Sequence, residues 1–228
     1  MHSFAIQAKI VISFAAAQKN RAYAVQGMER MYLLRNVLGN TGRRHWNMDA
    51  ARKEETYTIE DIYALPEGKR AELIDGNIYY MAPPSTKHQR LLNDVNTEIN
   101  LHIRESGGKC EVFPAPFAVF LDGNDKNYVE PDISVVCGRD KITEKGCQGP
   151  PDWVIEIVSP SSRKMDYFKK LFKYRTSGVR EYWAVDLEKE MVTVYHFELD
   201  NMEEYPFGQH VPVGIYEGFS IKIQGAGQ

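Results

Sequence analysis

The stretch Trp153-Val154-Ile155-Glu156-Ile157-Val158, followed at once by Ser159-Pro160-Ser161, decides how this chain is read. It is a nearly unbroken apolar run of strand length, the pattern of a strand buried on both faces of a sheet. Behind it the spacing predicts a helix of about four turns over 161–176, closed by Gly178. Two further strands, 182–185 and 191–195, follow across an acidic turn, and 219–223 reads as a last one. Working upstream, 129–136, 117–121 and 110–113 are strand-like, with Asp122-Gly123-Asn124-Asp125 as a turn between the first two. The connection 138–151 reads as a loop.

Before these strands, Ser85 is placed to cap a helix whose apolar residues Leu91, Leu92, Val95, Ile99 and Ile103 recur at helical spacing until Gly107-Gly108. Asp75-Gly76 between two short apolar runs, 72–74 and 78–81, predicts a β-hairpin. Thr58 caps a short helix ended by Pro66 and Gly68. Together these elements predict an α/β or α+β domain, a mixed sheet flanked by helices, over residues 48–228.

The 228 residues are 43% hydrophobic and 26% charged, ordinary for a globular chain. No apolar run reaches the roughly 18 residues that a membrane-spanning helix needs. Cys110, Cys137 and Cys147 form no CxxC and cannot all pair, so the expectation is free thiols in a cytoplasmic protein. Residues 1–47 hold seven bases and one acid and resemble nothing downstream; they read as an extension, poorly ordered or set by an early start codon. Residues 48–228 hold 21 bases against 30 acids, net −9, so a nucleic-acid partner must meet a local basic patch.

Two acids interrupt apolar strands: Asp132, after Pro131, and Glu156. A buried carboxylate is costly unless it is paired, protonated or bound to a metal. An outward position on an edge strand explains Asp132 as well as a site does, and Glu156 less well. If the two converge, their hard oxygens suit Mg²⁺ or Mn²⁺, not zinc. The following helix supplies the second half of the case. From Arg163 to Arg180, seven bases (Arg163, Lys164, Lys169, Lys170, Lys173, Arg175, Arg180) face one acid, Asp166. Most such runs are solvated helix faces. Here, Asp166, Lys170 and Tyr174 form one stripe that can lie over the carboxylates, and Arg163, Lys164, Lys169 and Lys173 are placed to hold a phosphate backbone. Glu72 is a third candidate carboxylate, although alone such an acid is more often at the surface than a ligand; His88 is an accessory candidate, with a satisfied helix-start histidine the commoner case. No GxSxG, HExxH, phosphate-cradling glycine loop or GxGxxG is present in the sequence.

These residues resemble the Uma family of restriction-endonuclease relatives. The likeness runs in order over about 56–197: Arg70-Ala71-Glu72-Leu73-Ile74-Asp75-Gly76, Ser85-Thr86-Lys87-His88, Glu130-Pro131-Asp132, Pro151-Asp152-Trp153 through Ser162, Asp166-Tyr167-Phe168-Lys169-Lys170 with Tyr174, and Gly178-Val179-Arg180-Glu181-Tyr182-Trp183. The resemblance implies the PD-(D/E)XK nuclease superfamily: a central mixed sheet with helices on both sides, a magnesium site at Asp132 and Glu156, Glu72 as an amino-terminal acid, and DNA as substrate. It also implies a homodimer. The superfamily's lysine would stand two residues after Glu156, where this chain has Val158; the family's displaced lysine maps onto Lys170. A module of the same fold that binds nucleic acid without turnover is the second reading. A glycosidase with Asp132 and Glu156 as its acid pair is the third, disfavoured by the clustered lysines.

Overall fold

A six-stranded mixed sheet organises the protein, and in the computed structural model residues 56–225 are described. The extension expected over 1–47 lies outside them. In chain order, α1 (Ile59–Tyr63) leads into the hairpin of β1 (Ala71–Ile74) and β2 (Asn77–Tyr80). Asp75 and Gly76 take φ of 50° and 74°, the positive pair that a two-residue turn requires. α2 (Thr86–Glu105) begins where the Ser85 side chain accepts the His88 amide hydrogen.

Strands β3 (Glu111–Pro114), β4 (Val119–Phe120), β5 (Ile133–Val136), β6 (Ile142–Thr143), β7 (Gly146–Gln148) and β8 (Trp153–Val158) follow. A helical segment then runs through a wide π turn, Met165–Lys170, into α3 (Leu171–Ser177), which ends on Gly178 at φ 97°. The chain closes with β9 (Glu181–Asp186), β10 (Met191–His196), β11 (Asn201–Pro206), β12 (His210–Pro212) and β13 (Ser220–Lys222).

The sheet order is β11-β10-β9-β8-β5-β3, with β8 and β9 parallel and every other neighbouring pair antiparallel. Strand alternation divides β8 between two cores. Trp153, Ile155 and Ile157 join Trp183 and Val185 under the apolar stripe of α2. Val154 and Val158 face the other way, with Ala184, Tyr182 and Tyr174 of α3. Glu156 alternates onto this second face.

The structure departs from the sequence reading at several points. The run 129–136 is not one strand: Val129 makes only an isolated bridge to Val119, and β5 starts at Ile133, because Pro131 has no amide to give a ladder. Asp132 therefore sits just ahead of a strand. The run 117–121 shortens to β4. The loop 138–151 contains a small hairpin, β6–β7, that carries β4 on its edge. β11 was not foreseen, since Asn201-Met202-Glu203-Glu204-Tyr205-Pro206 has no apolar run, yet it forms the sheet edge on β10. The helix behind β8 is not regular over 161–176. Leu171 N–H bonds back five residues to Asp166 O, a carbonyl that also accepts the Tyr182 hydroxyl from the sheet at 3.1 Å. That competing donor opens the turn.

The cysteines need a correction too. Cys110 and Cys137 stand opposite each other one step beyond the Glu111↔Val136 pair, and they form a disulfide. A separation of 27 residues hides a pairing that the β3–β5 register creates. Cys147 is free and buried. Among the described residues no helix is long and apolar enough to cross a membrane.

Candidate active site

β5 and β8 pair with Ile133 opposite Ile155, so one further step sets Asp132 opposite Glu156. Residues opposed across an antiparallel pair present side chains on the same face. Asp132 Oδ2 accepts the amide of Ile157 at 2.7 Å and is 3.1 Å from His88 Nε2 in the first turn of α2. A strand amide of β8 and the first turn of α2 thus fix one carboxylate. Glu72 on β1 reaches the same place. Its Oε1 accepts the Glu130 amide at 3.1 Å, and Glu130 is held in turn by Arg70 and by the Tyr128 hydroxyl.

The π turn brings the cation. Lys170 Nζ lies 2.8 Å from Glu72 Oε1, 2.9 Å from Glu156 Oε1 and 4.0 Å from Asp166 Oδ1. One turn on, the Tyr174 hydroxyl donates to Glu156 Oε1. Glu72, Glu156, Asp166 and Lys170 are all buried, each at most 5% exposed. Burial pushes the Glu156 carboxyl well above the usual range; Lys170 opposes that, and the charges on Asp132, Asp166 and Glu72 add to it. Asp166 is pushed up to about 6 by burial, against the pull of Lys170 and of a hydrogen bond from Ser162. Burial works against the charge of Lys170, yet Glu156, Glu72 and Asp166 hold it well above the ordinary lysine value, so it is an ammonium at neutral pH. Burial and the same glutamates raise Tyr174, which stays a neutral donor.

The cluster therefore gathers four carboxyl groups around one ammonium. Glu72, Asp132 and Glu156 each commit one oxygen to these contacts, while the second oxygen of each has no hydrogen bond among the described residues. Hard oxygen donors fit Mg²⁺ or Mn²⁺. The carboxylates do not, however, form a ready-made nest. Among the described residues no three Asp, Glu, His or Cys side chains converge as a cation cage, and Lys170 stands between Glu72 and Glu156.

The bases expected on a phosphate backbone have separate fates. Arg163 is taken by Asp186 and Glu188 at 2.9 and 2.8 Å. Lys173 is 2.6 Å from Asp75 and 3.5 Å from Asp122. Lys169 lies over the Tyr79 ring, 4.4 Å from its centroid, and donates to the Tyr79 hydroxyl. Lys164 is exposed and has no ion pair among the described residues. Sequence reasoning missed the amides of Ile157 and Glu130 that orient the carboxylates, because a backbone donor leaves no compositional trace. It also missed Glu130 itself, although Glu130 adjoins the Pro131-Asp132 pair.

Comparison with known proteins bears on the family and the fold. Residues 59–224 match the model of the Uma2 family, described as "Putative restriction endonuclease". The uncharacterized protein slr1290 of Synechocystis sp. is 29% identical over 130 residues, which span 56% of this chain and 66% of that protein, just under two thirds of its length. A crystal structure from Anabaena variabilis, of a "putative nuclease belonging to DUF820", superposes with a TM-score of 0.58 at 24% identity, over 69% of this chain and 89% of that one. At that identity the superposition speaks for the fold.

Proposed function

The chain belongs to the Uma2 family, and from that premise we propose that it is a metal-dependent endonuclease hydrolysing phosphodiester bonds in DNA. The observation that carries the reading is one ammonium, Lys170, buried in contact with Glu72, Glu156 and Asp166, with Asp132 on the strand pair beside them. Asp132 and Glu156 would hold Mg²⁺ or Mn²⁺, with Glu72 assisting. Such an ion supplies Lewis-acid polarisation of a phosphoryl oxygen and a water more easily deprotonated than bulk water.

The chain's own side chains do the rest. Lys170, held as an ammonium by Glu156, Glu72 and Asp166, would orient the attacking water and offset charge on the five-coordinate phosphate. Tyr174 fixes Glu156, while the Ile157 amide and His88 fix Asp132. Asp166 holds Lys170 from its own helix. Lys164 and Lys169 lie on the exposed side of that helix, suited to phosphates flanking the bond.

A second reading, a nucleic-acid-binding module without turnover, is favoured by one fact: Lys170 bridges Glu72 and Glu156 where an open cation position would serve catalysis. Incubating supercoiled DNA with the wild type and Asp132→Ala in magnesium, manganese or chelator separates the two. The nuclease reading expects metal-dependent nicking that drops roughly a thousandfold in the variant, the scale of losing several kcal/mol of charge stabilisation. DNA binding without cleavage in any metal gives the module.

A further inference from the structure

The β1–β2 hairpin has two faces, and the site uses one. Glu72 pairs with Tyr79, which Lys169 covers; the next pair, Ala71 with Tyr80, alternates away. Tyr80 is 69% exposed, the most exposed aromatic side chain among the described residues. It lines a groove of about 680 Å³ together with Lys69, Arg70, Met81, Pro83 and Pro84. Lys69 and Arg70 line this groove and no acid does; the Arg70 charge is met by Glu130, which leaves Lys69 as the open cation, in a body whose net charge over residues 48–228 is −9. Arg70 connects it to the site, because it binds Glu130, whose amide holds Glu72. Lys69 is exposed and has no ion pair among the described residues.

We propose that this groove binds a single-stranded segment of DNA, with one base stacked on Tyr80 and a neighbouring phosphate at Lys69. The proposal rests on the nuclease reading for its choice of DNA. Positive charge selects a polyanion, and an exposed ring selects a flat partner. A base inside a duplex has both faces covered by its neighbours, so only an unstacked base can lie against Tyr80. Pro83 and Pro84 stiffen one wall and so reduce the entropy lost when a strand settles there. The groove would hold a frayed or displaced strand on the far side of the hairpin from the carboxylates.

The test uses the full chain in chelator, so that cleavage does not consume the probe, with anisotropy of a fluorescent oligothymidylate and of a hairpin duplex. Tyr80→Ala should weaken single-strand binding about tenfold, within the range for losing one base–aromatic stack, and Tyr80→Trp should restore it. Duplex binding should change less than about twofold, since that term is electrostatic. Unchanged single-strand affinity in Tyr80→Ala, or no single-strand binding by the wild type, overturns the proposal. The plasmid assay is read separately. A chain that nicks DNA but ignores Tyr80 loses the groove and keeps the nuclease; one that binds through Tyr80 and never nicks does the reverse.

Discussion

Two buried glutamates stand on neighbouring parallel strands, and their surroundings differ in kind. Glu181 on β9 commits both oxygens to neutral donors: Trp183 Nε1 at 2.6 Å on Oε1 and the Ile215 amide at 2.9 Å on Oε2. Burial raises its pKa, and hydrogen bonds from Trp183, Gly214 and Ile215 and the nearby His196 work against that rise. The C-terminal segment comes close enough that a Cβ on Gly214 would lie 2.9 Å from Glu181 Oε2. Glu181 is a clamp that fastens that segment to the sheet. Glu156 on β8 instead leans with one oxygen on an ammonium and a phenol, beside three more acids. An acid in a buried strand marks a position that needs explaining. The donors around it say whether the explanation is architecture or chemistry.

Isosteric neutralisation of each glutamate tests that contrast most strongly. Glu156→Gln should lower cleavage roughly a thousandfold, since it removes a charge the metal and the transition state need. Its stability, followed by urea unfolding, should stay level or rise, because burial already disfavours a charge at this position and the amide oxygen still accepts from Lys170 or Tyr174. Glu181→Gln should do the opposite: cleavage within about twofold of wild type, and stability lower by about 1–3 kcal/mol, because an amide NH₂ must face Trp183 or Ile215, donor against donor. Equal stability losses in the two variants would make both glutamates clamps.

Lys170→Met attacks the same contrast from the cation. It leaves Glu72, Glu156 and Asp166 buried with no counter-charge from the chain, and breaking a buried pair costs about 3–5 kcal/mol. Unfolding in chelator should show that loss. Added Mn²⁺ should recover more stability in the variant than in the wild type, because a bound cation then takes over the neutralisation. An equal response in both proteins would argue against a cation at these carboxylates.

A smaller effect follows from Asp166, whose carboxyl moves from 3.8 to about 6. The folded state then holds a proton that the unfolded chain releases, so the contribution is full below pH 3.8 and is lost as pH rises through about 6. In chelator, wild-type stability should carry a falling component across that window, on the order of 3 kcal/mol, that Asp166→Asn lacks. Parallel pH profiles for the two proteins would remove Asp166 from the buried charge balance.

Much of this was legible in the sequence, and the gaps have physical causes. Strong periodicity located the Ser85-capped helix, and Asp75-Gly76 announced the hairpin. The run through Trp153 reported a strand buried on both faces, and the run through Trp183 a strand whose burial on both faces the structure adds. Where local signal was weak, tertiary pairing decided: β11 is a strand because β10 offers it an edge, and Cys110 meets Cys137 through register. The same asymmetry holds at the site. Asp132 and Glu156 stood out as acids against apolar neighbours, whereas Glu181 escaped notice because it follows Arg180 at a strand end. Charge counting found the basic helix but could not say that Asp186, from β9, claims Arg163, or that Asp75 and Asp122 claim Lys173.

That last point gives the smallest effect and the finest test, because it separates two bases that are adjacent in sequence. Arg163 spends its guanidinium on Asp186, which is fully buried, and on Glu188. Lys164 is exposed and has no ion pair among the described residues. Each lysine or arginine that neutralises a DNA phosphate releases condensed counterion and steepens the fall of binding with salt by about 0.9 in log–log slope. Lys164→Ala should therefore flatten that slope by about one and weaken binding alike across sequences. Arg163→Ala should leave the slope unchanged and show itself only as a less stable fold, since Asp186 loses its partner. Titrating both variants with a duplex oligonucleotide across a salt series reads the difference directly. A slope that flattens for Arg163→Ala would mean that the guanidinium leaves Asp186 when DNA arrives, and that the boundary between clamp and site runs through this helix.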